Sequence, residues 1–148
     1  MVYSSLFDDW LERAKEDKKL AHHAFSINIY RGACFHAQQS VEKLFKAILI
    51  KRDIFAPIHD LIKLAELIED EYQVRIVGNI ISDRELDILN IHYILSRYAP
   101  PPWGTPERTK WEKITKKYGS PEYSRETAEE ALEIMERIWA GVGKLGLI

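Results

Sequence analysis

The segment Tyr30–Leu49, YRGACFHAQQSVEKLFKAIL, runs twenty residues without a proline and spaces its apolar side chains at helical intervals. At about 100° per residue, Tyr30, Ala33, Ala37, Val41, Leu44 and Ile48 fall on one stripe. A helix of that length with one apolar face needs other helices to cover it, and the chain supplies them. Residues 5–27 place Leu6, Trp10, Ala14, Ala21 and Ala24 on one face, and residues 59–70 do the same with Leu61, Leu64, Ala65 and Ile68. A fourth helix is expected from an N-cap at Ser82 or Asp83 to about Arg97, and a last one from an N-cap at Ser124 to about Leu145. Residues 71–81, YQVRIVGNIIS, are β-branched but too isolated to build a sheet. The pattern predicts an all-α, up-and-down bundle of four to five helices, in one domain over 1–148, with a long irregular segment at about 99–123.

A chain of 148 residues, 46% hydrophobic and 30% charged, can bury a sizeable core and is too apolar to be disordered. Its formal charge of −2 argues against a strongly basic nucleic-acid binder, though not against a local basic patch. The single cysteine, Cys34, excludes an internal disulfide, suits a cytoplasmic location, and lies on the apolar stripe as a small hydrophobe. No apolar run approaches a bilayer span, so no membrane association is expected.

Polar residues in apolar surroundings mark the places where function can enter. Asp17 points within about 20° of Trp10, on the apolar face of the first helix. An unpaired buried carboxylate costs several kcal/mol, so Asp17 needs a partner; Arg97, Arg31 and His36 are candidates. It is either a structural ion pair or the anchor of a ligand-binding arginine. On the second helix Arg31, Phe35, Gln39, Glu42 and Lys46 fall together opposite the core stripe, with Glu42 four residues before Lys46 in the favourable order for an ion pair. The charges alone read as a solvated helix face; the aromatic Phe35 within that strip points instead to a subunit interface or a stacking platform. The fourth helix is apolar on two sides, Leu86, Leu89 and Tyr93 against Ile88, Ile91 and Leu95, which predicts a central position or a dimer contact. Arg97 and Tyr98 follow at its end, before Pro100, Pro101 and Pro102. There a cation either caps the helix dipole or binds an anion.

The sequence HAQQSVEKLFKAIL, then HDLIKL at 59–64, SRYAP at 96–100 and a closing YSRETAEEALE resembles the HEPN domain family, from about Trp10 to Ile138. The resemblance implies a helical bundle, a homodimer, and a link to nucleotides, to RNA or to a small nucleotidyltransferase partner in a toxin–antitoxin type system. Nuclease members of the family carry an arginine, four to six residues and a histidine in the C-terminal half. A histidine there can move the proton of a ribose 2′-hydroxyl while an arginine stabilises charge on phosphorus. Here no histidine follows Arg97. The two matches to the bare spacing, Arg31–His36 and Arg52–His59, lie in the N-terminal half, and Arg31 and His36 would sit about 140° apart on one helix. The chain therefore reads as a non-nuclease branch.

Other chemistries lack their residues. No histidine pair has the helical spacing of a zinc site, and neither a glycine-rich phosphate loop nor a nucleophile constellation appears, so no metal or cofactor is expected. Residues 107–117, ERTKWEKITKK, mix five basic and two acidic side chains with Trp111, and Trp103 and Tyr118 lie close by. Such a segment either packs Trp111 on the bundle as an amphipathic turn of helix or follows a nucleic-acid strand. The reading that results is an accessory binding module with Arg97, Tyr98, Lys46 and Asp17 as the candidate ligand site and Arg31, His36 and His59 behind them. The alternatives are a metal-independent endoribonuclease and a purely structural protein–protein adaptor.

Overall fold

The computed structural model describes residues 2–96, 100–119 and 122–148. Among the described residues the chain is helical throughout: α1 (Val2–Ser26), α2 (Tyr30–Ile50), α3 (Leu61–Tyr72), α4 (Asp83–Asn90), α5 (His92–Leu95), α6 (Pro106–Tyr118) and α7 (Arg125–Lys144). Local chemistry sets the boundaries. Asn28 in the left-handed region (φ 62°) turns α1 into α2, and Ile29 N–H donates to Ala24 O at 2.8 Å to close the α1 terminus. Ser82 and Glu85 form a reciprocal capping box at α4, and Ser124 caps α7.

Helix α2 is the centre of the bundle, touching α1, α3, α4, α5 and α7. Leu44, Phe45, Ile48 and Leu49 are fully buried among Leu61, Leu64 and Ile68 of α3, Leu86 and Leu89 of α4, and Met135 and Ile138 of α7. Each such side chain stabilises the fold by about 1.5–3 kcal/mol. Three helices are also tied by a buried polar relay: Trp139 Nε1 donates to Ser40 Oγ (2.9 Å), which donates to Ala14 O (2.9 Å).

Three sequence expectations are corrected. The centre is α2, not the fourth helix, so Glu42 and Lys46 are buried rather than solvated. The fourth helix does not run continuously: Ile91 separates α4 from the single turn α5. Within the segment 99–123, expected to be irregular, the described residues include a helix: Thr105 caps it with Pro106 at its first position, and α6 runs on to Tyr118. Residues 71–81 form no strand; an isolated bridge pairs Val77 with Ile81 while Ile76 and Ile81 plug the core. Among the described residues no helix is long and apolar enough to cross a membrane.

Candidate functional site

Two polar clusters are built on α2. In the first, the Asp17 side chain, 8% exposed, accepts from His36 Nδ1 at 2.8 Å and from Lys43 Nζ at 2.5 Å. Burial alone would raise the Asp17 carboxyl, but the two hydrogen bonds and the Lys43 charge outweigh it and hold the pKa below the ordinary value. His36 was a sequence candidate. Lys43 was not, although it lies seven residues beyond His36 and therefore on the same stripe of α2. Arg97, the other main candidate, and Tyr98 lie outside the described residues. Arg31 does not reach Asp17; its guanidinium lies over the Tyr123 ring at 5.1 Å.

The second cluster centres on Glu42, 5% exposed. Its carboxylate accepts from Gln38 Nε2 (3.0 Å), from Lys46 Nζ (3.1 Å), and from His59 Nδ1, which lies 3.2 and 3.1 Å from its two oxygens. Gln39 Nε2 in turn donates to Gln38 Oε1 at 2.7 Å. Lys46 is itself only 6% exposed. A carboxylate held by three donor groups is a compensated buried charge, and removing Lys46, its buried cationic partner, would cost about 3–5 kcal/mol. His59, in the loop ahead of α3, carries this network to the surface. Its side chain is 49% exposed, and its ring stacks on Tyr93 of α5 at 4.2 Å and 18°.

This stacked pair lines a cleft of about 470 Å³ between the start of α3, the end of α4 and α6. Asp60 and Asn90 form part of its lining and are locked together. Asp60 Oδ1 caps α3 by accepting from Ile62 N–H (2.9 Å) and also accepts from Asn90 Nδ2 (3.1 Å), while Asn90 Oδ1 accepts from Leu61 N–H (2.9 Å). Lys63 and Lys110 bring cations to the same wall, with Ile58 and Ile114 as apolar lining. Among the described residues neither lysine has an acidic partner within ion-pair range. The same lining carries two carboxylates, Asp60, engaged by Ile62 N–H and Asn90, and Asp87, engaged by Lys117 and Asn90. The arrangement offers a flat aromatic pair, fixed hydrogen-bonding groups and two ammonium groups, without acidic partners among the described residues, around an open space, which suits a phosphate-bearing ligand with a planar ring.

The candidate residues thus divide. Lys46 and His59 meet through Glu42, Asp17 and His36 meet directly, and no hydrogen bond or ion pair joins the two groups among the described residues. Arg52 and His59 sit at opposite ends of α3. Arg52 lies over Tyr72 at 4.2 Å and donates to Glu71 O at 3.3 Å, about 16–18 Å of helix away from His59. Sequence reasoning missed Lys63, Lys110 and Tyr93 as a group, since they come from three elements whose meeting depends on where α6 packs. Among the described residues no group of three or more His, Cys, Asp or Glu side chains could hold a metal ion.

Comparison with known proteins places this architecture. The chain is 29% identical over 142 residues to a candidate toxin, MJ1304, of Methanocaldococcus jannaschii, an alignment covering 92% of this chain and 83% of that protein. Its fold is similar to the crystal structure of TT1696 from Thermus thermophilus, with a TM-score of 0.70, 27% identity, and coverage of 93% of this chain and 96% of the other. The model of the HEPN domain matches residues 7–145. Helical architecture, motif order and the match over nearly the whole sequence agree: the chain belongs to the HEPN domain family.

Proposed function

We propose that this protein is a HEPN binding module of a toxin–antitoxin type system, which takes a nucleotide or RNA phosphate in the cleft beside His59 and Tyr93. The observation that carries this reading is the stack of exposed His59 on half-buried Tyr93, anchored from below by the buried Glu42 and flanked by Lys63 and Lys110. A base stacks on an aromatic surface for about 1–3 kcal/mol, and ammonium groups neutralise the phosphates. Lys46 acts from inside the bundle by holding Glu42, and Asp17 holds His36 and Lys43 along the same helix. Arg97 and Tyr98, which follow α5 in sequence, remain proposed ligand contacts. The similarity to a candidate toxin supports the toxin–antitoxin setting. The family resemblance supports a homodimer and a small nucleotidyltransferase as the partner.

Calorimetric titration of ATP and of a short single-stranded RNA tests this. Wild type should bind at least one of them, and Lys63→Ala, Lys110→Ala and Arg97→Ala should each weaken binding. Absence of binding heat for both ligands, together with co-purification of a specific partner, would instead establish the adaptor reading.

One observation favours a second reading, metal-independent RNA cleavage. A carboxylate on His59 Nδ1 fixes the imidazole tautomer and leaves Nε2 for proton transfer. Ribonuclease activity that survives a chelator and disappears in His59→Ala would make the protein an enzyme.

A further inference from the structure

Helix α6 is held by less of the bundle than its neighbours are. Among the described residues, α5 is the one other helix that comes close to its backbone. No described side chain of α6 is fully buried. Its large apolar side chains Trp111 and Ile114 are half-buried and stand outside the main core. An element held so lightly opens at a small fraction of the free energy of global unfolding.

The two ends of α6 are fastened differently. At the head Pro101 is buried, and the Arg108 guanidinium lies 3.7 Å from the Trp103 ring centroid and 4.6 Å from that of Trp111. Arg108 also donates to Pro101 O (3.2 Å) and to Glu112 Oε1 (2.9 Å). These contacts brace residues 101–112 as one block. At the tail, Lys117 pairs with Asp87 of α4 at 3.7 Å, but the lysine side chain is 69% exposed, and a surface pair of that kind adds little stability. The chain then leaves α6 at Gly119, in the left-handed region (φ 78°), with nothing within 4 Å of a Cβ placed there. A braced head and a lightly tied tail make a lever.

This lever carries one wall of the cleft. Lys110 and Ile114 are its lining from α6, and Lys63 is its cation from α3. The carboxylates of the same lining, Asp60 and Asp87, are engaged by other groups. Like charges on separate walls repel, and an anion seated between them turns that repulsion into attraction toward itself. Helix α3 is fixed by fully buried Leu61, Leu64 and Ile68, so α6 is the wall free to move.

We propose that α6 is a lid on the cleft: an anion held between Lys63 and Lys110 draws it inward about its Trp103–Arg108 head, and loss of the anion lets it swing back. This rests on the reading of the cleft as a phosphate site and adds how that site opens and closes. Nitroxide labels on Glu66→Cys in α3 and Lys113→Cys in α6 report the width of the cleft by pulsed electron paramagnetic resonance. Both positions are exposed and Cys34 is fully buried, so the labels go to the new thiols. Circular dichroism checks that the labelled protein keeps its helicity. ATP and tripolyphosphate should each shorten the distance by about 2–5 Å, the range of a helix shift. Uncharged adenosine should leave it unchanged, and Lys110→Ala should abolish the shortening. In the protein without ligand, α6 amides should exchange with deuterium at least about 100-fold faster than those of α2. Exchange in α6 as slow as in α2 would overturn the lid whatever binds. So would ATP or tripolyphosphate that binds by calorimetry without moving the labels, or adenosine that moves them. Tripolyphosphate that binds and closes α6 where ATP does not bind would sink the nucleotide reading and leave the lid standing. Binding of neither would remove the cleft reading, and the lid with it.

Discussion

Asp17, His92 and Cys34 show how burial decides what a titratable side chain can do in this protein. The Asp17 carboxyl is held below its ordinary value of 3.8. A lowered folded-state pKa stabilises the fold above 3.8, and that stability is lost as pH falls through the native value. Asp17→Asn should cost about 3 kcal/mol at neutral pH, because His36 and Lys43 lose their buried counter-charge. It should also flatten the acid limb of stability below pH 3.8, measured by urea denaturation as a function of pH. His92 is buried with its Nδ1 3.1 Å from Tyr123 Oη, and its Nε2 has no hydrogen-bond partner among the described residues. Burial pushes its pKa down from 6.5 to about 4, so it is neutral in the fold. The unfolded chain takes up the proton first, and stability present above pH 6.5 should decline by about 3 kcal/mol as pH falls to 4. His92→Leu should remove that part of the slope. Burial, with Glu130 adding to it, raises the Cys34 thiol to about 12. A thiol-specific reagent should therefore react with native protein only at the rate of unfolding, and fast labelling of native Cys34 would contradict the packing described.

At the scale of single elements, periodicity revealed the helices and local chemistry revealed most of their ends. The stripe on α2, the caps at Ser82 and Ser124 and the burial of Ala14, Ala21 and Ala24 were all legible, because each depends on residues within a turn or two of one another. What depends on three-dimensional neighbours was not. The polar row Gln39, Glu42, Lys46 has the sequence signature of a solvated face. It is partly to fully buried because α2 is surrounded by five helices, and no local pattern reports that number. Likewise α6 has few apolar residues, so its periodicity is weak, although Thr105 and Pro106 announce its start. Two glycines of α7 test the packing directly. A Cβ at Gly141 would lie 2.5–2.7 Å from three atoms of the branched Ile80 side chain, whereas one at Gly143 would meet nothing within 4 Å. Gly141→Ala should lower stability by about 1–3 kcal/mol. Gly143→Ala should raise it by about 0.5–1 kcal/mol through lower unfolded-chain entropy and better helix propensity. Thermal melts of the two variants moving in opposite directions would establish the contact between α7 and the 73–82 segment, and melts moving together would disprove it.

Across the whole molecule, the family match, the helical bundle and the cleft describe a module whose polar machinery is gathered along one central helix. The Glu42 network and the Asp17 network both hang on α2; the first reaches the cleft through half-exposed His59, and the second reaches solvent elsewhere through the partly exposed His36 and Lys43. In the sequence HDL looked like the start of a helix, and Tyr93 like core. Their stacking became visible only once α3 and α5 were placed side by side. The central claim is that this stack is where a nucleotide lands. Its most direct measurement is NMR of the histidine side chains during titration with ATP, since of the five imidazoles that of His59 lines the cleft while His22 and His23 are exposed on α1. The His59 ring resonances should shift in a saturable way while those of His22 and His23, exposed on α1, stay in place. His59 resonances that do not move when ATP is shown to bind elsewhere, or at any ATP concentration, would contradict it.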